Sequence, residues 1–223
     1  MGVEIFEKLT APSQLNRETL SALSPSEYER LSFGELERLK LEKIVQVLDH
    51  PELQKLIEAH KITLALIKPH ADENAKGYGD EAAARAITAE IRHPLTPVFS
   101  VSVRLNLLDA EDFYINQKGM LSKQPAARNK AFGSKWQEHL DFMSSGPTTF
   151  LLLYSEQGDA IKEWRKQIGH WDVEGRKRDY HTIRGRWAKS NLTSIVHGSD
   201  SPETAKREIR VLRNHLAGLA SRI

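Results

Sequence analysis

Ile62-Thr63-Leu64-Ala65-Leu66-Ile67 is a short, mostly apolar run closed by Lys68-Pro69. Such a run lacks polar alternation, which suits a strand buried on both faces, and a proline cannot extend a hydrogen-bonded ladder. Downstream, runs of this kind alternate with helical patterns. An alanine-rich helix is expected from about Asp80 to Arg92, a strand from Val98 to Leu105, and a helix capped by Asp109 that holds Phe113 and Tyr114. Thr148 to Tyr154 is a second buried strand, followed by a helix from Asp159 to Ile168, a short strand around Ser194 to Val196 and a last helix from Pro202. The order β-α-β-α-β-α-β-α predicts an α/β or α+β sandwich in which helices cover a single sheet. The least regular stretches, 115–135 and 170–190, read as polar, basic loops of the kind that carry sites.

Upstream of this pattern, from Thr10 to His60, the chain is rich in Leu, Glu, Lys and Arg and shows helix punctuation instead of strands. Ser24-Pro25-Ser26-Glu27 and Ser32 with Glu35 are two capping boxes, each announcing a helix start. Leu36, Leu39, Ile44, Val45 and Leu48 recur near helical spacing, and Pro51 opens a third helix with Leu53, Leu56 and Ile57. We therefore divide the chain into a helical N-terminal extension, 1–60, and a sandwich domain, 61–223. The apolar faces of the extension need a cover, either this chain's own domain or a foreign protein.

Composition narrows the chemistry. In 223 residues, 32 Lys and Arg balance 30 Asp and Glu, so no extreme charge advertises a polyanion partner. With 39% hydrophobic and 28% charged residues, the chain lies well away from the disordered class. The absence of cysteine removes disulfides, thiolate metal sites and cysteine nucleophiles. There is no apolar run long enough to span a bilayer and no signal-like start, and Phe6 stands where a myristoylation motif after Gly2 needs Ser or Thr. A soluble, cytoplasmic protein is expected.

The segment Ser194-Ile195-Val196-His197-Gly198-Ser199-Asp200-Ser201-Pro202-Glu203 puts a histidine at a strand end, then a glycine that leaves room for a ligand, then a helix N-capped by Ser201. A neutral imidazole can attack phosphorus. Spacing alone leaves His197 either that nucleophile or a structural histidine. Lys68 at the end of the first strand, Arg184 in Thr182-Ile183-Arg184-Gly185 and Arg165 are cations at element ends, suited to phosphate if they converge on one mouth of the sheet and solvated if they do not.

His-Gly-Ser-Asp-Ser at 197–201, Thr-Ile-Arg-Gly at 182–185, Met-Ser-Ser-Gly-Pro at 143–147, Arg165 four residues before Gly169, and Lys68-Pro69 together resemble the nucleoside diphosphate kinase signature, in the family's order, over about residues 61–210. The resemblance implies a ferredoxin-like α+β sandwich with a four-stranded antiparallel sheet. It implies a ping-pong phosphotransferase in which His197 carries the γ-phosphoryl group from a nucleoside triphosphate to a diphosphate. Lys68, Arg165 and Arg184 would neutralise phosphate charge, and Mg²⁺ would ride on the nucleotide phosphates without a protein-built metal site. Glu208 would orient the imidazole, Tyr114 would stand near the phosphates, and Ser199 would follow the histidine in the nucleotide site. Homo-oligomers are the family's habit and are expected here, with a further protein partner for the N-terminal helices. Nucleic acid and membrane are not expected as partners.

The sequence also departs from the pattern. Ser194 replaces the usual asparagine toward the nucleotide sugar, Trp171 replaces a phosphate-contacting threonine, and His70 replaces an aspartate after Lys-Pro. In the additional residues between Tyr114 and Met143, Phe132 or Trp136 would stack on the base or simply anchor the insertion. Arg176, Lys177 and Arg178 form a basic run that touches phosphates, a neighbouring subunit or only water. Two other functions compete with the kinase: a catalytically weak nucleotide-binding scaffold that docks a protein through its helical extension, and a nucleic-acid binder using 176–178 and 118–135.

Overall fold

The computed structural model describes residues 32–69, 80–124, 134–172, 174–175, 179–187 and 195–223. The Ser24 capping box, His70, Phe132, the run at 176–178 and Ser194 lie outside the described residues.

The capping box at Ser32 forms: its hydroxyl accepts from the Glu35 amide while the Glu35 carboxylate accepts from Ser32, opening helix α1 (Phe33–Leu48). Helix α2 (Pro51–Glu58) begins on proline and is capped by His50. There follow β1 (Ile62–Ile67), α3 (Asp80–Ala89), β2 (Leu95–Val103), α4 (Leu107–Leu121), α5 (Lys135–Ser144), β3 (Thr148–Ser155), α6 (Ala160–Ile168), α7 (Ile183–Trp187), β4 (Val196–Gly198) and α8 (Pro202–Ala220).

The strands form one antiparallel sheet in the order β2-β3-β1-β4. This is the ferredoxin-like α+β arrangement. β1 and β3 occupy the centre, and the buried runs read from the sequence are central for that reason: β1 is buried at every position. The alternation of side chains splits the core in two. Ile62, Leu64 and Leu66 join a large cluster with the faces of α1, α2, α4, α5 and α8. Ala65 and Ile67 point the other way, to α3, α6 and Ile183 of α7. β2 begins at Leu95, earlier than expected, because an edge strand tolerates Pro97, at the cost of a register shift between Pro97 and Phe99.

Other boundaries move for local reasons. Asn106, not Asp109, caps α4, its side-chain oxygen accepting the Asp109 amide, while the Asp109 carboxylate pairs with His215 on α8. α3 stops at Ala89 because i→i+3 bonds from Glu90 and Ile91 close its last turn. Part of the stretch expected as loop is helical, α4 running on to Leu121 and α5 starting at Lys135. The apolar face of the N-terminal helices is covered by this chain: Leu41, Ile44, Leu48, Leu53 and Ile57 lie in the same cluster as Ile209, Leu212 and Leu216 of α8. A bidentate contact from Arg213 to Asp49 ties α8 to the end of α1. Among the described residues, no helix is long and apolar enough to cross a membrane.

Candidate active site

β4 is three residues long and runs two residues later than its sequence suggests, so His197 sits within the ladder, opposite Leu66, and not beyond its end. Directly opposed residues share a sheet face. The imidazole therefore projects to the side of Leu64 and Leu66, toward α4 and α8, with its side chain 15% exposed. Gly198 does not leave space for a ligand. A Cβ there would lie 2.3 Å from Trp164 Cδ1, and the glycine instead admits the Trp164 indole, whose Nε1 donates to the His197 carbonyl at 3.0 Å. The backbone of the histidine is thus pinned from α6.

On α8, Ser201 caps the helix as expected, and Glu208 lies two turns in, 1% exposed. Its Oε1 accepts from His197 Nε2 at 2.9 Å and its Oε2 accepts from Ser199 Oγ at 2.7 Å. A carboxylate only accepts, so the imidazole proton is held on Nε2 and the lone pair on Nδ1. Phe113 and Tyr114 of α4 meet the imidazole edge-on, with ring centroids at 5.7 and 5.5 Å.

Lys68 leaves the end of β1, its amide donating to Ile195 at 2.7 Å, and its Nζ stands 5.2 Å from the Tyr114 ring centroid. Burial, and then the neighbouring Arg184 charge, push the ammonium down to about 7. Arg184 is held by α7, whose first turn is capped by Thr182 accepting the Gly185 amide. Its guanidinium donates to the Gly169 carbonyl at 2.9 Å and the Val196 carbonyl at 3.1 Å, which puts it beside the residue before His197. Gly169 is required at that turn: its φ is +78°, and a Cβ would lie 2.2 Å from Thr182 Oγ1.

The structure thus gathers His197, Glu208, Ser199, Tyr114, Lys68 and Arg184 around one point. Trp136 reaches the group through a residue the sequence reading passed over. His139 of α5 lies with its ring 4.5 Å from Tyr114 and stacked on Trp136 at 6.5 Å, and all three are buried. Burial, Lys68 and His197 hold His139 down to about 2, so it is neutral. The only sequence signal for it was a histidine on the apolar face of a helix. Arg165 is different: it lies exposed on the last turn of α6. Trp171 is 63% exposed and rests on His170.

The Tyr114 hydroxyl and His139 Nε2 are buried without a hydrogen-bond partner among the described residues. The two cations Lys68 and Arg184, both acting on Tyr114, suit an anionic guest. Among the described residues, no group of three or more His, Asp or Glu is placed to hold a metal ion.

The family model described as "Nucleoside diphosphate kinase" matches residues 61–215. The chain belongs to the nucleoside diphosphate kinase family. It is similar to the nucleoside diphosphate kinase of Psychromonas ingrahamii, 35% identical over 147 residues that make up 66% of this chain and 86% of that one. It is 30% identical over 160 residues to nucleoside diphosphate kinase 6 of Danio rerio, covering 70% of this chain and 77% of the relative. Among solved structures, the nucleoside diphosphate kinase of Aquifex aeolicus superposes with a TM-score of 0.51 at 29% identity, over 68% of this chain and 93% of the other. Helices α1 and α2 lie before the span matched to the nucleoside diphosphate kinase family. Family and fold support a nucleoside diphosphate kinase-like function for the chain.

Proposed function

We propose that this chain is a phosphotransferase that moves the γ-phosphoryl group of a nucleoside triphosphate to a nucleoside diphosphate through a phosphohistidine at His197. The observation that carries the reading is the Ser199–Glu208–His197 relay, which leaves Nδ1 as the nucleophile. In the first half-reaction the Nδ1 lone pair forms an N–P bond as the bond from phosphorus to the β-phosphate oxygen breaks, and the diphosphate leaves with that electron pair. A second diphosphate reverses the step. Lys68 and Arg184 balance the charge on the transferring group, because positioning and electrostatics are most of what phosphoryl transfer asks of a protein. Arg165 is assigned to the outer phosphates and Ser194 to the sugar, while Trp136, buried against His139, anchors α5 and is not available to stack on the base. Mg²⁺ would be held through the nucleotide phosphates, where it would supply further neutralising charge. Family membership also supports self-association and work in the cytoplasm.

The test is incubation with radiolabelled ATP and Mg²⁺. An acid-labile, alkali-stable label on the protein that disappears in His197→Ala is expected, and an unlabelled wild-type protein would refute the carrier role. A second reading, a nucleotide-binding module with little turnover, is favoured by the burial of Tyr114, Trp136 and His139, which closes the helical side of the site. It requires that ATP raise the melting temperature while phosphate exchange stays at background.

A further inference from the structure

Glu208 is a buried carboxylate whose two hydrogen-bond donors, His197 and Ser199, are neutral in the state that can attack phosphorus. A carboxylate removed from water needs a countercharge. Arg207 supplies one. Its Nη2 lies 3.6 Å from Glu208 Oε1, the same oxygen that accepts from His197, and its side chain is 20% exposed. The other edge of the guanidinium faces a different element: Nη1 donates to the backbone carbonyls of Asp112 at 2.8 Å and Phe113 at 2.9 Å. Those carbonyls belong to the turn of α4 that seats Phe113 and Tyr114 against the imidazole.

We propose that Arg207 is a positioning residue for His197. Its charge offsets that of the buried Glu208 carboxylate at the oxygen that accepts from His197, the contact that fixes the proton on Nε2 and the lone pair on Nδ1. Its second edge holds the α4 backbone, and so the two rings that bound the nucleophile. The other titratable groups facing the imidazole are Tyr114 on α4 and His139 on α5, with Lys68 beyond them. The buried Tyr114 hydroxyl is held well above its ordinary range and His139 is neutral, so neither replaces the guanidinium charge. The inference rests on the phosphohistidine reading.

The two edges separate in two variants. Arg207→Gln keeps an amide donor and loses the charge, and Arg207→Lys keeps a charge as a point and loses the fork. Formation of the histidine label is followed in single turnover with ATP and Mg²⁺ from about pH 5.5 to 9. For Arg207→Gln we expect the rate constant to fall roughly 30- to 100-fold near neutrality, with the acid limb of the profile displaced. For Arg207→Lys we expect the acid limb of the wild type with a KM for ATP raised about five-fold. Glutamine with the wild-type rate and limb, or lysine displacing the limb as glutamine does, would overturn the proposal. Labelled wild-type protein beside an unshifted Arg207→Gln overturns this inference alone, whereas an unlabelled wild type overturns the phosphohistidine reading and this one with it. Should Arg207→Gln fail to fold, Arg207→Lys still decides: a displaced acid limb with the charge retained refutes the role.

Discussion

Replacing Lys68 by methionine should stabilise the free protein while removing nucleotide binding. The ammonium falls from its ordinary 10.5 to about 7 on burial beside Arg184. At 1.36 kcal/mol per pH unit, keeping that charge in the fold costs on the order of 5 kcal/mol at any pH below 7. This is a large fraction of the roughly 5–15 kcal/mol that holds a domain folded. The sign follows from proton counts: between about pH 7 and 10.5 the unfolded chain binds a proton that the folded chain does not, so wild-type stability rises with pH across that window. Methionine keeps the length and the contact with the Tyr114 ring and carries no charge. Urea unfolding of both proteins at several pH values measures the difference. Lys68→Met should be more stable by about 3–5 kcal/mol at pH 6 to 7, and its advantage should shrink by about 1.4 kcal/mol for each pH unit above 7. In a thermal scan ATP should raise the midpoint of the wild type and leave that of the variant unmoved. A stability difference that is independent of pH, or a variant less stable at pH 6, would refute the placement of Lys68 as a desolvated cation in the site.

His139 is held neutral in the fold down to about 2 and takes up a proton near 6.5 when unfolded, so stability is lost as pH falls below 6.5. His139→Phe should flatten the acid side of the stability profile between pH 6 and 4, as read by thermal melts. Gly198→Ala drives a methyl into Trp164 and loosens the backbone of His197; about 1–3 kcal/mol of stability should go, with kcat falling more than KM. Ile44→Ala, 2% exposed under α8, should cost about 2–5 kcal/mol in urea unfolding although it lies outside the span matched to the family.

Much of the sheet was legible because burial imposes composition. β1 and β3 carry near-continuous apolar runs since both faces are covered, and the caps at Ser32 and Ser201 form as their spacing requires. The antiparallel order was not in those runs and came from family likeness. β4 was misplaced by two residues because a three-residue strand has too few positions to show alternation. In the site, His197, Glu208 and Ser199 share a short span of sequence with a recognisable order, and they meet as that order implied. Gly198 was misread because a glycine's purpose depends on what approaches it, and Trp164 comes from another element. His139 and Arg207 were missed for the same reason. Their neighbours, Tyr114, Trp136 and the carbonyls of α4, become neighbours only when α4, α5 and α8 pack together.

The contact between α8 and the helices before the sheet joins a segment inside the family-matched span to one outside it. α8 bears the carboxylate that aims the imidazole, and along the same rod it bears the apolar ridge and the arginine that grip α1. A rigid rod shares its orientation along its whole length. A shift in the seating of the leading helices would therefore be carried along α8 to the Glu208–His197 hydrogen bond, so the segment ahead of the sheet braces the very rod on which that bond depends.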